Sequence, residues 1–122
     1  MPRYMKGAEL ILIGYNTPIS APALDLNELC LRSGAYANLC FVVGVAKTGV
    51  EDGVELIGGS CIVSPLGQVR AKASTTGDEL VVARIDLDQI APVWKRWNFF
   101  GRRQPQHYGM MLKPVTEKEP HR

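Results

Sequence analysis

Two uninterrupted apolar runs predict the centre of a sheet. They are AELILIG at 8–14 and LCFVVGVA at 39–46, the second rich in valine. Strands that alternate apolar and polar residues have one wet face, whereas continuous runs indicate strands covered on both faces. Between the runs, leucines at roughly helical spacing predict a helix over 25–38, with Asp25 as its N-cap.

The second half of the chain alternates shorter apolar runs with turn residues. Pro65-Leu66-Gly67 separates two strand-like runs and favours a hairpin. Pro92 is expected to kink or shorten the last helix. The predicted elements are an exposed loop at 47–55, a strand at 56–64, a turn at 65–67, a strand at 68–73, a turn at 74–78, a strand at 79–85 and a helix at 86–97.

This order predicts an α/β (α+β) fold with a mixed sheet and helices on one face. We expect one domain over 1–113 and a flexible, proline-containing tail over 114–122. If helices cover only one face, the other face of the strands at 8–14 and 39–46 stays bare. A bare apolar face on so small a domain indicates an interface.

Composition excludes several classes of function. The net charge of +2 gives no reason to expect nucleic-acid binding. No apolar run has the ~20 residues of a membrane helix, and the first residues lack a signal-peptide core. The three cysteines, Cys30, Cys40 and Cys61, show no Cys-x-x-Cys spacing, which disfavours a zinc site or a disulfide framework. We therefore expect a cytoplasmic protein with reduced thiols.

Several short motifs resemble the C-terminal half of the nitrilase, or carbon–nitrogen hydrolase, superfamily. The resemblance covers the chain from about Gly7 to Met111 and is closest to the N-carbamoyl-D-amino-acid amidohydrolases. Motifs shared by many branches are Gly7-Ala8-Glu9, Ala37-Asn38, Gly59-Ser60 and Pro65-x-Gly67. More specific motifs are Gly14-Tyr15-Asn16-Thr17-Pro18 and Arg103-Gln104-Pro105-Gln106-His107-Tyr108-Gly109.

The resemblance implies the C-terminal half of a nitrilase-like α-β-β-α sandwich that pairs with a second copy. It also implies hydrolysis of N-carbamoyl-D-amino acids to D-amino acid, ammonia and carbon dioxide, with no metal or organic cofactor. A cysteine, a glutamate and a lysine perform this chemistry in the family. None of these three positions has a counterpart in the 122 residues. We therefore expect no catalytic residue here and no activity from this chain alone.

Asn16 and Thr17 are the candidate substrate-binding residues. They follow a buried strand, where α/β folds commonly place ligand-contacting loops. The resemblance places them in the substrate pocket wall, near the carboxylate or amide end of the substrate. An Asx-type turn ahead of Pro18 explains the same residues without a ligand. Both interpretations stay open at this stage.

The remaining candidates favour structural roles. Cys61 lies in an apolar run with no histidine nearby, so a core position is expected rather than a nucleophile. His107 has no nucleophile partner and is expected to help dock the tail, within the chain or across a subunit boundary. Glu9 and Glu28 are expected to be solvated or capping carboxylates, not an acid–base pair. Trp94 and Trp97 share one predicted helix face and are expected to pack in the core or an interface.

Three hypotheses follow for the function. The first is a hydrolase portion that takes a small-molecule N-carbamoyl amino acid when an N-terminal half completes it, and that forms a homo-oligomer without nucleic-acid or membrane partners. The second is a non-catalytic binding or oligomerisation module that uses the bare sheet face. The third is a thiol enzyme that uses Cys61.

Overall fold

The fold is built on a four-stranded mixed sheet. The computed structural model describes residues 7–114. The strands are β1 (Leu10–Tyr15), β2 (Phe41–Ala46), β3 (Val50–Glu51), β4 (Val54–Glu55), β5 (Cys61–Val63) and β6 (Val69–Lys72). The main sheet has the order β1-β2-β5-β6, in which β1 and β2 are parallel and the other neighbours antiparallel. The predicted α/β class with a mixed sheet is confirmed.

Helix α1 (Ala21–Asn38) connects the two parallel strands and covers one face of the sheet. Leu31 and Ala35 of α1 are buried against side chains from three strands. The sheet contributes Ile11, Val42, Cys61 and Val63 to this cluster. Parallel neighbouring strands need a crossover connection, and α1 supplies it while it covers the core.

The predicted N-cap of α1 at Asp25 was wrong. Ser20 is the N-cap, and its Oγ accepts a hydrogen bond from Ala23 N at 3.4 Å. Pro22 lies in the first turn, where a backbone N–H has no partner within the helix and its absence is tolerated. Asp25 therefore lies inside the helix, which begins four residues before the predicted position 25.

The end of α1 is locked against helix α2 (Ile90–Trp97). Leu39 caps α1 in the left-handed conformation with φ 50°, so β2 begins at Phe41 rather than at 39. Trp94 of α2 donates its indole N–H to the Leu39 carbonyl oxygen at 3.2 Å. Trp97 packs edge-on against Tyr36 of α1. Both tryptophans pack against other side chains, as expected, although Trp97 remains 36% exposed.

The sheet face opposite α1 is covered only in part. Phe41 of β2 lies on this face and is buried, whereas other apolar side chains of the same face are exposed, as expected for a sheet with helices on one side. Leu12 of the edge strand β1 is 63% exposed, and Val45 of the inner strand β2 is 54% exposed. Leu10 is also exposed. These three side chains alternate along β1 and β2 with the residues that face α1.

Several predicted boundaries in the second half were wrong. The strand at 56–64 is only Cys61–Val63, because Gly58 and Gly59 adopt positive φ and interrupt the extended backbone. The loop at 47–55 contains the β3–β4 hairpin, which turns at Asp52-Gly53 with positive φ at both residues.

Residues 79–85 do not form the predicted strand. They lie between the bends of 75–78 and the next helix without pairing to another described strand. The helix predicted at 86–97 is divided into a 3₁₀ turn (Leu87–Gln89) and α2. The α-helix is shorter than predicted, as expected from Pro92: a proline is tolerated in the first turn but not in a helix interior, and α2 begins only two residues before it.

The C-terminal motif region consists of two 3₁₀ helices, Phe100–Arg102 and Pro105–Leu112. His107 lies exposed in the second, and within residues 7–114 its side chain makes no hydrogen bond or ion pair. Its docking role, within the chain or across a subunit boundary, stays a prediction. The flexible tail predicted at 114–122 lies, apart from Pro114, outside the described residues. Within the described part of the chain, no helix is long and apolar enough to cross a membrane.

Candidate functional site

An open recess lies at the carboxyl ends of the parallel strands β1 and β2. Its volume is about 450 Å³. Gly14, Tyr15 and Asn16 line it from β1, and Val45, Ala46 and Lys47 line it from β2. Ligands of open α/β sheets commonly bind outside the carboxyl ends of strands, so this recess is the first candidate for a substrate site.

The backbone holds the Asn16–Thr17 segment firmly. Lys47 N donates to the Tyr15 carbonyl oxygen at 2.9 Å, which extends the β1–β2 pairing to the end of β1. Ile57 N donates to the Thr17 carbonyl oxygen at 2.9 Å. Both neighbours of Asn16 are therefore fixed by main-chain hydrogen bonds to other segments.

The Asn16 side chain makes no hydrogen bond to the described residues. It is exposed, and none of the hydrogen bonds recorded between described residues involves its amide. The Asx-turn alternative is therefore not formed, and Pro18 has no N–H to take part in one. A fixed backbone with a free amide group is an arrangement suited to binding a polar ligand.

Lys47 is the residue that sequence reasoning missed. It was placed at the start of an exposed loop, yet it lines the recess and forms an ion pair with Glu51 of the β3–β4 hairpin. The pairing of β1 with β2 brings Lys47 beside Asn16. The available signal was its position directly after a buried strand, the same feature that identified Asn16.

A second, smaller cavity of about 200 Å³ lies between α1 and the end of β6. Lys72 Nζ contacts Glu28 Oε2 at 2.6 Å across one wall. Glu28, whose side chain is 28% exposed, also approaches Arg32, so it is an ion-pair partner rather than the isolated solvated or capping carboxylate that was expected. Tyr15 OH donates to the Gly59 carbonyl oxygen at 3.4 Å beside this cavity. Burial raises the pKa of Tyr15, which favours the neutral phenol.

Cys61 is a core residue, not a nucleophile of the recess. Its side chain is buried beneath α1 in the cluster with Leu31 and Val63. Burial, with a further contribution from the Glu28 charge, raises the pKa of Cys61. Burial also raises the pKa of Cys40 to about 11. Both groups are protonated thiols at neutral pH, and the thiol is the unreactive form.

Comparison with known proteins identifies the family. The sequence profile of the family described as carbon–nitrogen hydrolase matches residues 1–95. The chain belongs to the carbon–nitrogen hydrolase family. It is 34% identical over 90 residues to the deaminated glutathione amidase of Bos taurus, which covers 73% of this chain and 27% of the amidase. It is 27% identical to the N-carbamoylputrescine amidase of Oryza sativa, covering 93% of this chain and 42% of that protein.

Solved structures of the family show the same fold. The carbon–nitrogen hydrolase of Helicobacter pylori superposes with a TM-score of 0.81 at 26% identity, covering 91% of this chain and 43% of that chain. The NitFhit protein of Caenorhabditis elegans superposes with a TM-score of 0.74 at 27% identity, covering 88% of this chain and 26% of that chain. The chain therefore spans less than half the length of these carbon–nitrogen hydrolase relatives.

Proposed function

We propose that this chain supplies one part of a carbon–nitrogen hydrolase, and that the completed enzyme hydrolyses N-carbamoyl-D-amino acids. The observation that carries the proposal is the position of the Gly14–Pro18 motif. It lies at the carboxyl end of β1, beside the recess, with the Asn16 amide free to bind a ligand. Family membership supports the reaction class, and the motif supports the substrate class.

In this proposal Asn16 and Thr17 bind the substrate. The Asn16 amide N–H groups donate to the substrate carboxylate, and the half-buried Thr17 packs at the base of the same loop. Lys47 beside them adds positive charge near the anionic group, moderated by its ion pair with Glu51. These residues bind and orient the substrate, and the reacting cysteine, glutamate and lysine come from the part of the enzyme outside this chain.

The overall reaction consumes one water molecule per N-carbamoyl group. The two carbon–nitrogen bonds of the carbamoyl carbon are broken, and the products are D-amino acid, ammonia and carbon dioxide. In this family a thiolate forms the bond to the carbamoyl carbon, a glutamate transfers the protons, and a lysine stabilises the oxyanion. The resemblance of the chain to an N-carbamoylputrescine amidase supports a carbamoyl substrate in general terms.

The direct test measures ammonia release from N-carbamoyl-D-amino acids, with the L-isomers as controls. The purified chain is assayed alone and after co-expression with the part of the Helicobacter pylori enzyme that lies outside the match. We expect no release from the chain alone and D-selective release from the complex. A stable complex without D-selective activity contradicts the proposal.

A substitution at the recess sharpens this test. Asn16→Asp replaces two donors with a negative charge that repels a carboxylate, so we expect KM in the complex to rise at least about tenfold with a smaller change in kcat. Gln106→Glu makes the same chemical change in the exposed 3₁₀ helix at Pro105–Leu112 and serves as the matched control. Equal effects of the two variants contradict a role for Asn16 in binding.

A second function, a binding or oligomerisation module, is favoured by the exposed part of the sheet face opposite α1. Leu12 and Val45 expose more than half of their side chains to water on that face. Apolar patches of this kind commonly mark interaction sites. A chain that stays monomeric in light scattering and binds no hydrolase segment contradicts this second function.

A further inference from the structure

Lys47 alone carries a charge among the described residues that line the recess at the ends of β1 and β2. Its ammonium group donates to the carboxylate of Glu51, which belongs to the β3–β4 hairpin and is not part of the recess lining. The two charges therefore cancel at the edge of the recess. An anion gains the full attraction of Lys47 only when the Glu51 carboxylate moves away.

The ion pair between Lys47 and Glu51 is exposed and easily separated. The two side chains are 50% and 47% exposed, and water at such sites screens the attraction between opposite charges. Pairs of this kind typically change an equilibrium constant by no more than about fivefold. The Glu28 carboxylate differs, because it is 28% exposed and is approached by both Lys72 and Arg32.

The hairpin does not depend on this ion pair for its position. Its two strands pair with each other, and Ile19 N donates to the Glu55 carbonyl oxygen at 2.8 Å. This main-chain bond connects the hairpin to the segment that follows the candidate substrate-binding residues. Within residues 7–114 the Glu51 carboxylate has no polar partner other than Lys47. Glu51 can therefore leave Lys47 while the hairpin stays folded.

On the basis of the function proposed above, we propose that the carboxylate of an N-carbamoyl amino acid displaces Glu51 from Lys47. Glu51 thereby sets the affinity of the recess for anionic ligands. Lys47 exchanges one carboxylate partner for another, so the ligand gains only the difference between two similar ion pairs. The displaced Glu51 then repels the bound anion. A neutral ligand neither competes for Lys47 nor meets this repulsion, so Glu51 affects anions selectively.

Ligand titration of the full chain, followed by two-dimensional NMR of the Asn16 and Lys47 backbone amides, measures the dissociation constants. The probes are N-carbamoylglycine, which is an anion, and its neutral amide, N-carbamoylglycinamide. We expect Glu51→Gln to lower the Kd of N-carbamoylglycine by about two- to fivefold, because the competing carboxylate is removed. The Kd of the neutral amide should stay within about 1.5-fold of the parent value, since an uncharged ligand has no Coulomb interaction with Glu51.

Two further variants separate displacement from general electrostatics. Glu55→Gln makes the same charge change in the same hairpin, at a position whose side chain lies on the opposite face from Glu51, and is the matched control. We expect it to leave both dissociation constants unchanged. Lys47→Gln should weaken binding of N-carbamoylglycine by about threefold or more, because the cationic partner is lost. In that background Glu51→Gln should have a smaller effect than in the parent chain.

Each other outcome overturns the displacement of Glu51. An unchanged Kd of N-carbamoylglycine in Glu51→Gln does so, as does an equal gain for the neutral amide. An equal gain from Glu55→Gln means that the overall charge of the hairpin opposes the ligand. Failure of the parent and of Glu51→Gln to bind N-carbamoylglycine also overturns it. The proposed function is tested separately, because loss of binding in Asn16→Asp without a response to Glu51→Gln supports that function and rejects the displacement.

Discussion

Leu31 of helix α1 packs directly onto the backbone of Gly44 in strand β2. A Cβ atom placed on Gly44 would lie 2.6 Å from Leu31 Cδ1 and 3.2 Å from the ring of Tyr15. The absence of a side chain at Gly44 thus lets α1 approach the sheet. We expect Gly44→Ala to reduce the free energy of unfolding by about 1–3 kcal/mol, since overpacking forces side chains off their preferred conformations. Urea denaturation measures this difference.

Gly14 of the neighbouring strand is the matched control for this prediction. A Cβ atom there would meet no other atom within 4 Å, and the backbone at Gly14 has no positive φ. We expect Gly14→Ala to change stability by no more than about 0.5 kcal/mol. The double variant Leu31→Ala/Gly44→Ala should destabilise less than the sum of the single changes, because the new methyl group fills part of the space left by Leu31. Additive effects would contradict a direct contact.

Trp94 is expected to stabilise the fold through its hydrogen bond to Leu39. Trp94→Phe keeps an aromatic ring but leaves the buried Leu39 carbonyl oxygen without the indole N–H. We expect a loss of about 1–3 kcal/mol in the free energy of unfolding, the range for an unsatisfied buried group. Trp97→Phe is the control, since none of the hydrogen bonds of the described residues involves the Trp97 indole. An equal loss in both variants would mean that ring size, not the hydrogen bond, stabilises the contact.

The sequence predicted best the elements that are stabilised by local interactions or that are apolar on both faces. Strands β1 and β2 were found because continuous apolar runs have few alternatives. The start of α1 was missed because Asp25 and Ser20 are both good N-caps, and Pro22 decided in favour of Ser20. Residues 79–85 carry a strand pattern, but strand pairing needs a neighbour, and the pattern contains no information about one.

In the candidate site, too, local patterns were predicted correctly and contacts between distant segments were not. Asn16 and Thr17 were predicted because a polar loop after a buried strand is readable in one sequence. Lys47 was not, since its place beside Asn16 depends on the parallel pairing of β1 with β2. Glu28 was expected to be solvated, and only the fold brings Lys72 within 2.6 Å of it, across 44 positions. Contacts between distant segments are therefore the part that sequence patterns leave open.

The three cysteines should differ in reactivity. Cys30 is exposed on α1, whereas Cys40 and Cys61 are buried with raised pKa values. We expect iodoacetamide at pH 7 to alkylate Cys30 first, and the two buried thiols only after denaturation. Peptide mass spectrometry assigns the modified residue at each time point. Stoichiometric alkylation of Cys61 in the folded protein would contradict its core role and revive the thiol-enzyme hypothesis.

The Glu79 carboxylate should control the order of the 74–79 loop as a function of pH. Hydrogen bonds from the backbone and hydroxyl groups of Ser74 and Thr75 lower the pKa of Glu79 to about 2. The charged form is thus favoured in the folded chain relative to the unfolded one, where a glutamate has a pKa of about 4.3. The contribution of Glu79 is fully present above that unfolded value and is lost as the pH falls towards 2.

Two-dimensional NMR of the Ser74 and Thr75 amides measures this transition directly. We expect both amide resonances to shift with a midpoint near pH 2. The control is the exposed Glu55, because no comparable set of hydrogen-bond donors surrounds its carboxylate. Glu79→Gln removes the charge and should abolish the transition, leaving the two amides in the shifted state at neutral pH. A midpoint near 4.3 would mean that the four hydrogen bonds do not persist in solution. In that case the Glu79 carboxylate does not hold the start of the 79–85 segment.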